Sequence, residues 1–259
     1  MQNTFSDILA DIKVETLSLE ETAKVRLMNR VDKKYWFHVS ELPSLLEAIK
    51  DDYYIQSVDG KLFQDYGTKY FDTQDNKMYT LHHNGKLNRY KIRRRDYLDS
   101  DDHFLEIKFK TNQGRTIKKR VESTVKAADF NKDENEFLKQ RSIFGNDELQ
   151  VALRNRFTRL TLIARNSPER VTIDTGISFI SPDKTVDMEN LVILEVKSEK
   201  NSDESSLKRY LRDRRIKPAG FSKYCIGRAL TDSSLKRNRF KQRIREIGKI
   251  TGHTDLYNM

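Results

Sequence analysis

The hydrophobic pattern of this chain changes its period along its length, and that change predicts an α+β protein. From Tyr53 to about Val125 apolar and polar residues alternate, as in strands whose successive side chains point to opposite faces. Turn residues such as His83-Asn84-Gly85 separate the alternating segments, which favours an antiparallel β-barrel or curved sheet with peripheral helices. Strands are predicted at 27–38, 66–72, 87–97, 103–110, 115–122, 152–164, 169–180 and 190–197.

Helices are predicted where apolar residues recur at helical spacing after a capping residue. The first 25 or so residues are predicted to be helical, with Ser18 as an N-cap. Ser40 is the predicted N-cap of a helix that reaches Ile49 and holds Pro43 in its first turn. Further helices are predicted at 75–81, 129–140, 205–215, 221–230 and 235–247.

No internal repeat or Pro/Gly-rich linker divides the chain, so one main domain is expected. We predict a barrel domain over 27–230, preceded by a helical segment at 1–26 and followed by a basic helix within 231–259.

The side on which each strand carries its charges is the most informative feature of the sequence. In 89–95 one face bears only cations, whereas the other carries Tyr90 and Ile92 and is interrupted by Arg94. Five other predicted strands divide in the same way. A charged face turned to water is the ordinary explanation for any one of them. Their recurrence favours a shared polar interior, since like charges on adjacent strands repel and need water or anions between them.

The candidate interior residues are those that share these charged faces. The cations are Arg30, Lys34, Arg89, Lys91, Arg93, Arg95, Lys108, Lys118, Arg120, Arg159, Arg170, Lys197 and Lys223. The carboxylates are Asp32, Glu106, Asp174 and Glu195.

Composition points to an anionic partner. The 259 residues include 49 Lys and Arg against 39 Asp and Glu, a net charge of +10. Nucleic acid, an acidic membrane or a phosphorylated metabolite would each suit that excess. The single Cys225 excludes an intramolecular disulfide framework and a Cys-rich zinc site. Without a signal peptide or a long apolar run, the chain is expected to be soluble, cytoplasmic and not inserted in a membrane.

Phosphate is the anion that these side chains suit best. The guanidinium fork matches phosphate oxygens, and lysine acts as a compact point charge. Carboxylates supply the hard oxygen ligands that Mg²⁺ or Mn²⁺ prefers, so Glu195 and Glu106 are the candidate metal ligands. A salt bridge to a neighbouring lysine is the alternative for each, and for Glu106 it has equal weight. The histidines show no ligand-like spacing and are expected at the surface.

Six short segments occur in the order seen in one known family. They are Arg30-Val31-Asp32-Lys33-Lys34-Tyr35-Trp36, Tyr70-Phe71-Asp72-Thr73, Lys91-Ile92-Arg93-Arg94-Arg95-Asp96-Tyr97, Leu105-Glu106-Ile107-Lys108, Ile193-Leu194-Glu195-Val196-Lys197 and Phe221-Ser222-Lys223-Tyr224. From about 27 to 230 the chain resembles VTC domains, the polyphosphate polymerase domains of the vacuolar transporter chaperone complex and their bacterial relatives. These are triphosphate tunnel metalloenzymes of the CYTH-like superfamily.

The resemblance implies an antiparallel barrel around a charged triphosphate tunnel, with Mn²⁺ or Mg²⁺ held by Glu195. The residues that would bind the nucleotide triphosphate and the growing chain are Lys34, Arg93, Arg95, Lys108, Lys118, Arg159, Arg170, Lys197 and Lys223. Among these, the reacting phosphates are assigned to Arg93, Arg95, Lys108 and Lys197.

Two departures qualify the resemblance. The wider superfamily's paired glutamates on the first strand are here Arg30 and Asp32, which favours the VTC branch over the triphosphatases. Gly220 stands where eukaryotic VTC domains often carry a further lysine.

The expected activity is transfer of the γ-phosphate of ATP to polyphosphate, which needs no general base if the acceptor is an ionised phosphate. A triphosphatase on the same barrel and a non-enzymatic polyphosphate or polyanion binder remain alternatives. The basic tail Lys236–Arg245 could contact nucleic acid or an acidic membrane. We prefer a docked terminal helix with a solvated basic face, and leave open a membrane-protein partner for it.

Overall fold

A computed structural model describes residues 12, 14–23, 30–124, 129–200, 204–253, 255 and 256. Its strands are β1 (Thr16–Ser18), β2 (Arg30–His38), β3 (Tyr53–Ser57), β4 (Phe63–Thr73), β5 (Arg89–Tyr97), β6 (Asp102–Lys110), β7 (Thr116–Glu122), β8 (Leu149–Ala164), β9 (Glu169–Ile180), β10 (Thr185–Met188) and β11 (Leu191–Glu199). Its α-helices are α1 (Leu19–Ala23), α2 (Leu42–Ile49), α3 (Lys77–His83), α4 (Lys132–Arg141), α5 (Ser206–Asp213), α6 (Lys223–Thr231) and α7 (Lys241–Thr251).

The strands form one large, mainly antiparallel sheet with peripheral helices, which confirms the α+β class. The pairing order is β2-β11-β9-β8-β4-β5-β6-β7, with β3 on β8, β1 on β3 and β10 on β9. Among the described strands, this order is not closed by hydrogen bonds between its two ends. No helix in the described ranges is long and apolar enough to cross a bilayer.

The chain divides into two compact units. The first unit comprises the described parts of Met1–Gln64, Thr158–Ile177 and Met188–Phe221. The second unit comprises those of Asp65–Phe157, Ser178–Asp187 and Ser222–Met259. The domain boundaries expected from the sequence stay predictions.

In the first unit, one face of the β2, β11 and β9 strands forms the core with α2 and α5. Leu194 lies opposite Tyr35 on β2 and opposite Ile173 on β9, and all three are buried. Leu45 and Leu46 of α2 and Leu207 of α5 complete this core. Burial of these apolar faces is the main stabilising contribution to the unit.

In the second unit, the apolar faces of β5 and β6 pack against α3 and α4. Ile92 pairs with Ile107 across the two strands, and both side chains are buried together with Phe71, Met78 and Leu138. The opposite faces of β5 and β6 are thereby left to the charged residues, because alternate side chains point in opposite directions.

Arg94 is a fully buried charged side chain on the apolar face of β5, and α4 explains it. Its Nε and Nη2 donate to the two carboxylate oxygens of Glu134 at 2.9 and 2.7 Å, and both residues are fully buried. Glu134 also closes the capping box at the start of α4 with Asn131. Phe71 and Phe130 lie 5.6 and 5.5 Å from the guanidinium carbon. Arg94 is therefore a structural residue.

Asp72 has a similar structural role, although it belongs to one of the family-like segments. Its carboxylate accepts hydrogen bonds from the backbone N–H groups of Met78 and Tyr79, each at 2.9 Å, and from the hydroxyl of Tyr224. These contacts join the end of β4 to α3 and α6. They satisfy N–H groups at the start of α3 that have no partner within the helix.

Most predicted elements are present, with differences at their ends. Strand 169–180 matches β9 in full, and the Ser18 N-cap is confirmed by the Glu21 N–H donating to its hydroxyl at 3.3 Å. Ser40 was wrong as an N-cap: it lies within a 3₁₀ turn whose cap is His38. Residues 1–11, 13 and 24–29, for which helix or strand was predicted, lie outside the described residues.

The short strands β1, β3 and β10 were not predicted. Thr16–Ser18 forms a strand inside the segment expected to be helical, because it pairs in parallel with β3. Strands of three to five residues carry too few alternations to be recognised, and distant partners decide them.

We expect Glu134→Gln to lower the free energy of unfolding by about 3 kcal/mol, because it leaves the buried Arg94 charge without its carboxylate. Urea denaturation of the wild type and the variant measures this difference. The matched control is Glu136→Gln, an exposed position on the same helix, which should change stability by less than about 0.5 kcal/mol. Equal stabilities for the two variants would contradict the role given to the Arg94 pair.

Candidate functional site

Several residues on the charged faces of the strands are buried and not solvated. In the second unit Glu106 is 0% and Arg95 9% exposed, and in the first unit Asp174 is 3% exposed. These residues belong to β5, β6 and β9, which therefore bury apolar side chains in a unit's core on one face and charged side chains on the other, whereas β7 is largely exposed. An ordinary sheet with one wet face does not account for this arrangement.

In the second unit, four predicted site cations surround one buried carboxylate. We call Arg93, Arg95, Glu106, Lys108 and Lys118 the Glu106 cluster. Strand register places Arg93 opposite Glu106, and Lys108 opposite Lys118. The Arg93 Nε and Nη2 groups lie 2.8 and 2.6 Å from Glu106 Oε2, and Lys118 pairs with Oε1.

The protonation of this cluster follows from its charge imbalance. Burial would raise the pKa of Glu106, but Arg93, Arg95 and Lys118 hold it well below its usual range. The Arg93 guanidinium, together with burial, lowers the pKa of Lys108 to about 6. Burial also lowers the pKa of Lys118. One carboxylate does not neutralise four cations, and Lys108 releases its proton at neutral pH as a result.

Aromatic rings contact three of the predicted cations of the second unit: Arg95 of the Glu106 cluster, and Arg120 and Lys223 outside it. The Arg95 guanidinium carbon lies 5.2 Å from the centroid of Tyr66 and 6.0 Å from that of Phe157. Lys223 Nζ, at the start of α6, lies 4.1 Å from the same Phe157 ring. Arg120 is exposed, and its guanidinium carbon lies 4.3 Å from the centroid of the Phe104 ring.

The remaining two predicted cations of this unit begin β5. Lys91 lies opposite Lys108 and donates to the Ser222 hydroxyl at 3.1 Å. Arg89 lies opposite Lys110, at the open end of the strand pair. Both share the charged face of β5 with Arg93, so the cations form a continuous stripe along that strand.

In the first unit, the predicted residues form a more evenly balanced group. We call Lys34, Arg159, Asp174, Glu195 and Lys197 the Glu195 cluster. Lys34 lies opposite Glu195 and pairs with its Oε1, while Lys197 Nζ lies 3.6 Å from Oε2. Arg159 binds Asp174 through two hydrogen bonds of 2.6 and 2.8 Å.

Glu195 is ionised within this group. Burial would raise its pKa, but Lys197, Lys34 and Arg159 outweigh burial and lower the pKa to about 2. The side chain of Glu195 is 18% exposed to solvent, whereas that of Glu106 is 1% exposed.

The other first-unit candidates lie at the strand ends. Arg170 is opposite Lys197 and donates to the backbone oxygen of Thr22 at 3.3 Å. Asp32, also opposite Lys197, is exposed. Arg30 begins β2, but its side chain lies outside the described residues.

The two candidate metal ligands differ in what they could offer a cation. Both oxygens of Glu106 already face Arg93 or Lys118, which favours the salt-bridge interpretation of that residue. Within the described ranges, the cation paired with Glu195 Oε2 is Lys197, whose Nζ lies 3.6 Å away, so this oxygen can be supplied to another cation. Among the described residues, no three His, Cys, Asp or Glu side chains converge as a metal site. Glu195 can therefore supply a single carboxylate oxygen to a divalent cation, which suits the preference of Mg²⁺ or Mn²⁺ for oxygen ligands.

Sequence reasoning missed the aromatic partners and misjudged two histidines. Tyr66, Phe104 and Phe157 carried no signal beyond their place in strands, because their contacts come from distant elements. His83 and His103 were expected at the surface but are each 8% exposed. The imidazole of His103 lies between Asp96 and Asp101, an environment that adjacent residues do not reveal.

Comparison with known proteins identifies the family and the fold of the chain. Residues 29–232 match the family model of the VTC domain. No curated protein matches the chain. A structure of a candidate adenylate cyclase from Bacillus halodurans has a TM-score of 0.50 at 12% identity, covering 75% of this chain and 96% of its own. That likeness shows the fold alone.

A second solved structure is similar at a lower score. It is an adenylyl cyclase candidate from Hippeastrum, described as having a dominant triphosphatase activity, with a TM-score of 0.47 and 13% identity. It covers 79% of this chain and 97% of its own.

The family match spans most of the chain and includes both charged clusters. The chain belongs to the VTC domain family.

Proposed function

We propose that this protein is a metal-dependent polyphosphate polymerase that transfers the γ-phosphate of ATP to a polyphosphate chain. The observation that carries the proposal is the Glu106 cluster, in which four cations share one buried carboxylate. Membership of the VTC domain family supports the same substrate class.

A bound phosphate would correct the electrostatic imbalance of this cluster. The charged form of Lys108 is disfavoured because Arg93 lies close and the side chain is buried. A phosphate oxygen beside Lys108 restores the favourable interaction that burial removes, so the ammonium form returns. Arg93 and Arg95 present forks that can each bind two oxygens of a triphosphate. The cluster is thus suited to a multiply charged phosphate group.

Phosphoryl transfer requires positioning and charge neutralisation more than covalent help from the protein. In the proposed step, an oxygen of the chain's terminal phosphate attacks the γ-phosphorus of ATP. The bond from the γ-phosphorus to the β,γ-bridging oxygen breaks, ADP leaves, and the chain grows by one phosphate. Arg93, Arg95 and Lys108 would hold the reacting phosphates, with Lys118 and Lys223 supporting them.

In the first unit, Lys34 and Lys197 would bind phosphate oxygens while orienting the Glu195 carboxylate. Glu195 would hold Mn²⁺ or Mg²⁺, which when bound supplies charge neutralisation on phosphate oxygens. Arg159, whose fork is held by Asp174, keeps the cationic field around Glu195 that leaves it ionised.

The direct test is incubation with ATP and Mn²⁺ or Mg²⁺, followed by gel analysis of chain length and a free-phosphate assay. We expect long chains and ADP. Free phosphate as the only product would replace the proposal with a triphosphatase, and binding without turnover would replace it with a binding module.

Glu195→Gln should reduce metal-dependent turnover by at least about a hundredfold, because an amide neither neutralises nor binds the cation as a carboxylate does. ATP affinity measured without metal should fall much less. Glu189→Gln, an exposed position before β11, is the control and should retain full turnover. Unchanged turnover in Glu195→Gln would remove the metal role from this residue.

Arg93→Ala and Arg95→Ala should each weaken binding of inorganic triphosphate by about ten- to a hundredfold, the loss expected for charge-assisted hydrogen bonds. Calorimetric titration measures the affinities. Arg156→Ala, an exposed arginine of β8, is the control. Arg93→Lys keeps a charge for Glu106 but loses the fork, so it separates phosphate binding from support of the fold. Normal affinity in both alanine variants would show that these arginines do not bind phosphate.

Binding should also draw a proton onto Lys108. With a pKa of about 6 in the free protein, Lys108 is neutral at pH 8, and a bound anion raises that pKa. The complex then holds more protons than the free protein, so affinity falls as pH rises above 6. Calorimetry in buffers of different ionisation enthalpy should show uptake of about one proton per triphosphate at pH 8.

Lys108→Arg stays charged throughout and should largely abolish this uptake, whereas Lys119→Arg, exposed on β7, should not change it. The same uptake in the wild type and Lys108→Arg would refute the assignment of the proton to Lys108.

A further inference from the structure

The C-terminal segment is anchored to the second unit by one aromatic residue. Phe240 is 4% exposed, and its ring centroid lies 5.4 Å from that of His83 and 6.1 Å from that of Tyr79. Ile244 and Ile247, one and two turns further on, are also buried. This confirms a docked helix, and it gives Arg239 and Arg243, on either side of Phe240, defined positions.

Arg239 lies across the end of α3. Its backbone N–H lies 3.4 Å from His83 Nε2, and its Nη1 donates to the backbone oxygen of His83 at 3.3 Å. A Cβ atom on Gly85 would approach Arg239 Nη1 to 2.3 Å, so a glycine there leaves room for the guanidinium. Gly85 also has a φ of +70°, which disfavours other residues.

The protonation of His82 is controlled by the cations that surround it at the end of α3. Burial, with the cations Lys91, Arg89, Lys110 and Arg243 around it, lowers its pKa to about 2. The ring is therefore neutral, and Nδ1 accepts a hydrogen bond from Arg89 Nε at 3.2 Å. Arg239 also lies close enough to lower the pKa of Arg89, after the larger effect of burial.

The C-terminal arginines lie near the first residue of an existing stripe of cations. On β5, Arg89, Lys91 and Arg93 follow one another on the charged face at intervals of about 6.6 Å. Arg89 is the first residue of the strand, and two arginines of the C-terminal segment lie near it: Arg239 beside Arg89 itself and Arg243 beside His82, which accepts a hydrogen bond from Arg89. They also lie beyond residue 232, where the family match ends.

We propose that Arg239 and Arg243, with Arg89, Lys91 and Lys110, bind the polyphosphate chain outside the triphosphate-binding Glu106 cluster. This inference rests on the proposed function and specifies where a long chain runs. A flexible chain with a charge on every phosphate can follow a row of cations that a triphosphate is too short to span. Four of these five cations are half-buried and Arg239 is exposed, so their charges are accessible to such a chain.

The same residues suit single-stranded nucleic acid less well. Binding of a single strand relies on aromatic faces on which bases stack. Phe240, the aromatic residue between the two arginines, is buried against Tyr79 and His83 and does not present such a face.

The test compares Arg239→Gln/Arg243→Gln with the wild type for binding of long-chain polyphosphate and of inorganic triphosphate. Affinity for the long chain should fall about ten- to thirtyfold at low salt, and its dependence on salt concentration should weaken by about two charges. Triphosphate affinity should stay within about twofold of the wild type.

The matched control is Arg245→Gln/Lys249→Gln, which removes two charges from exposed positions of the same helix. It should leave long-chain affinity within about twofold of the wild type, and the unfolding midpoints of both double variants should agree with the wild type. Equal loss in both double variants would show non-specific attraction and overturn the proposal. So would equal loss of triphosphate affinity, or a loss of single-stranded RNA binding with polyphosphate binding intact.

These measurements need no turnover, so their outcome is separable from that of the polymerase assay. A protein that makes no chains but shows the expected difference would retain the chain-binding site and lose the polymerase assignment. If the wild type makes chains but Arg239→Gln/Arg243→Gln binds long chains as tightly as the wild type, the polymerase assignment stands and the chain-binding site is refuted.

Discussion

Burial of more cations than carboxylates is the constraint on which the second unit depends. Glu106 offers two oxygens, and Arg93 and Lys118 occupy both. Lys108 makes no ion pair with a described residue, and it loses its proton because Arg93 lies close and the side chain is buried. The fold therefore holds a group of donors that a phosphate would satisfy better than water does. Stability of the free protein and affinity for anions are opposed at this cluster.

In the first unit, cations and carboxylates are more nearly balanced than in the second, and this balance suits binding of a phosphate together with a metal ion. Arg159 is committed to Asp174 by two short hydrogen bonds, and Glu195 is shared between Lys34 and Lys197. Glu195 is ionised here because the neighbouring cations outweigh its burial, so the group offers a carboxylate oxygen beside ammonium groups. A metal-bound phosphate needs both kinds of partner, whereas a row of cations alone would repel the metal.

Much of this arrangement could be predicted from the sequence, because a strand carries its two faces in its alternation. The division of β5 and β6 into an apolar face with Ile92 and Ile107 and a cationic face with Arg93 and Lys108 was read correctly. The alternation of apolar and polar residues does not identify which residues of other elements will contact a given side chain. Glu134 lies forty residues after Arg94, so the sequence around Arg94 does not indicate that the two residues pair. The rings beside Arg95 and Lys223 and the place of Arg239 beside His83 were hidden for the same reason.

Arg93 and Arg94 show how adjacent residues of one type can be separated by counting their partners. Arg94 faces the core, where a carboxylate of its own, Glu134, and the backbone oxygen of Asp129 accept its hydrogen bonds. Its charge is matched inside the protein, so a ligand could add nothing to it. Arg93 points to the opposite face and shares its carboxylate with Lys118, so the local cations outnumber their counter-ion. A buried arginine that pairs with its own carboxylate stabilises the fold. When two cations pair with the same carboxylate, positive charge remains that a bound anion can neutralise.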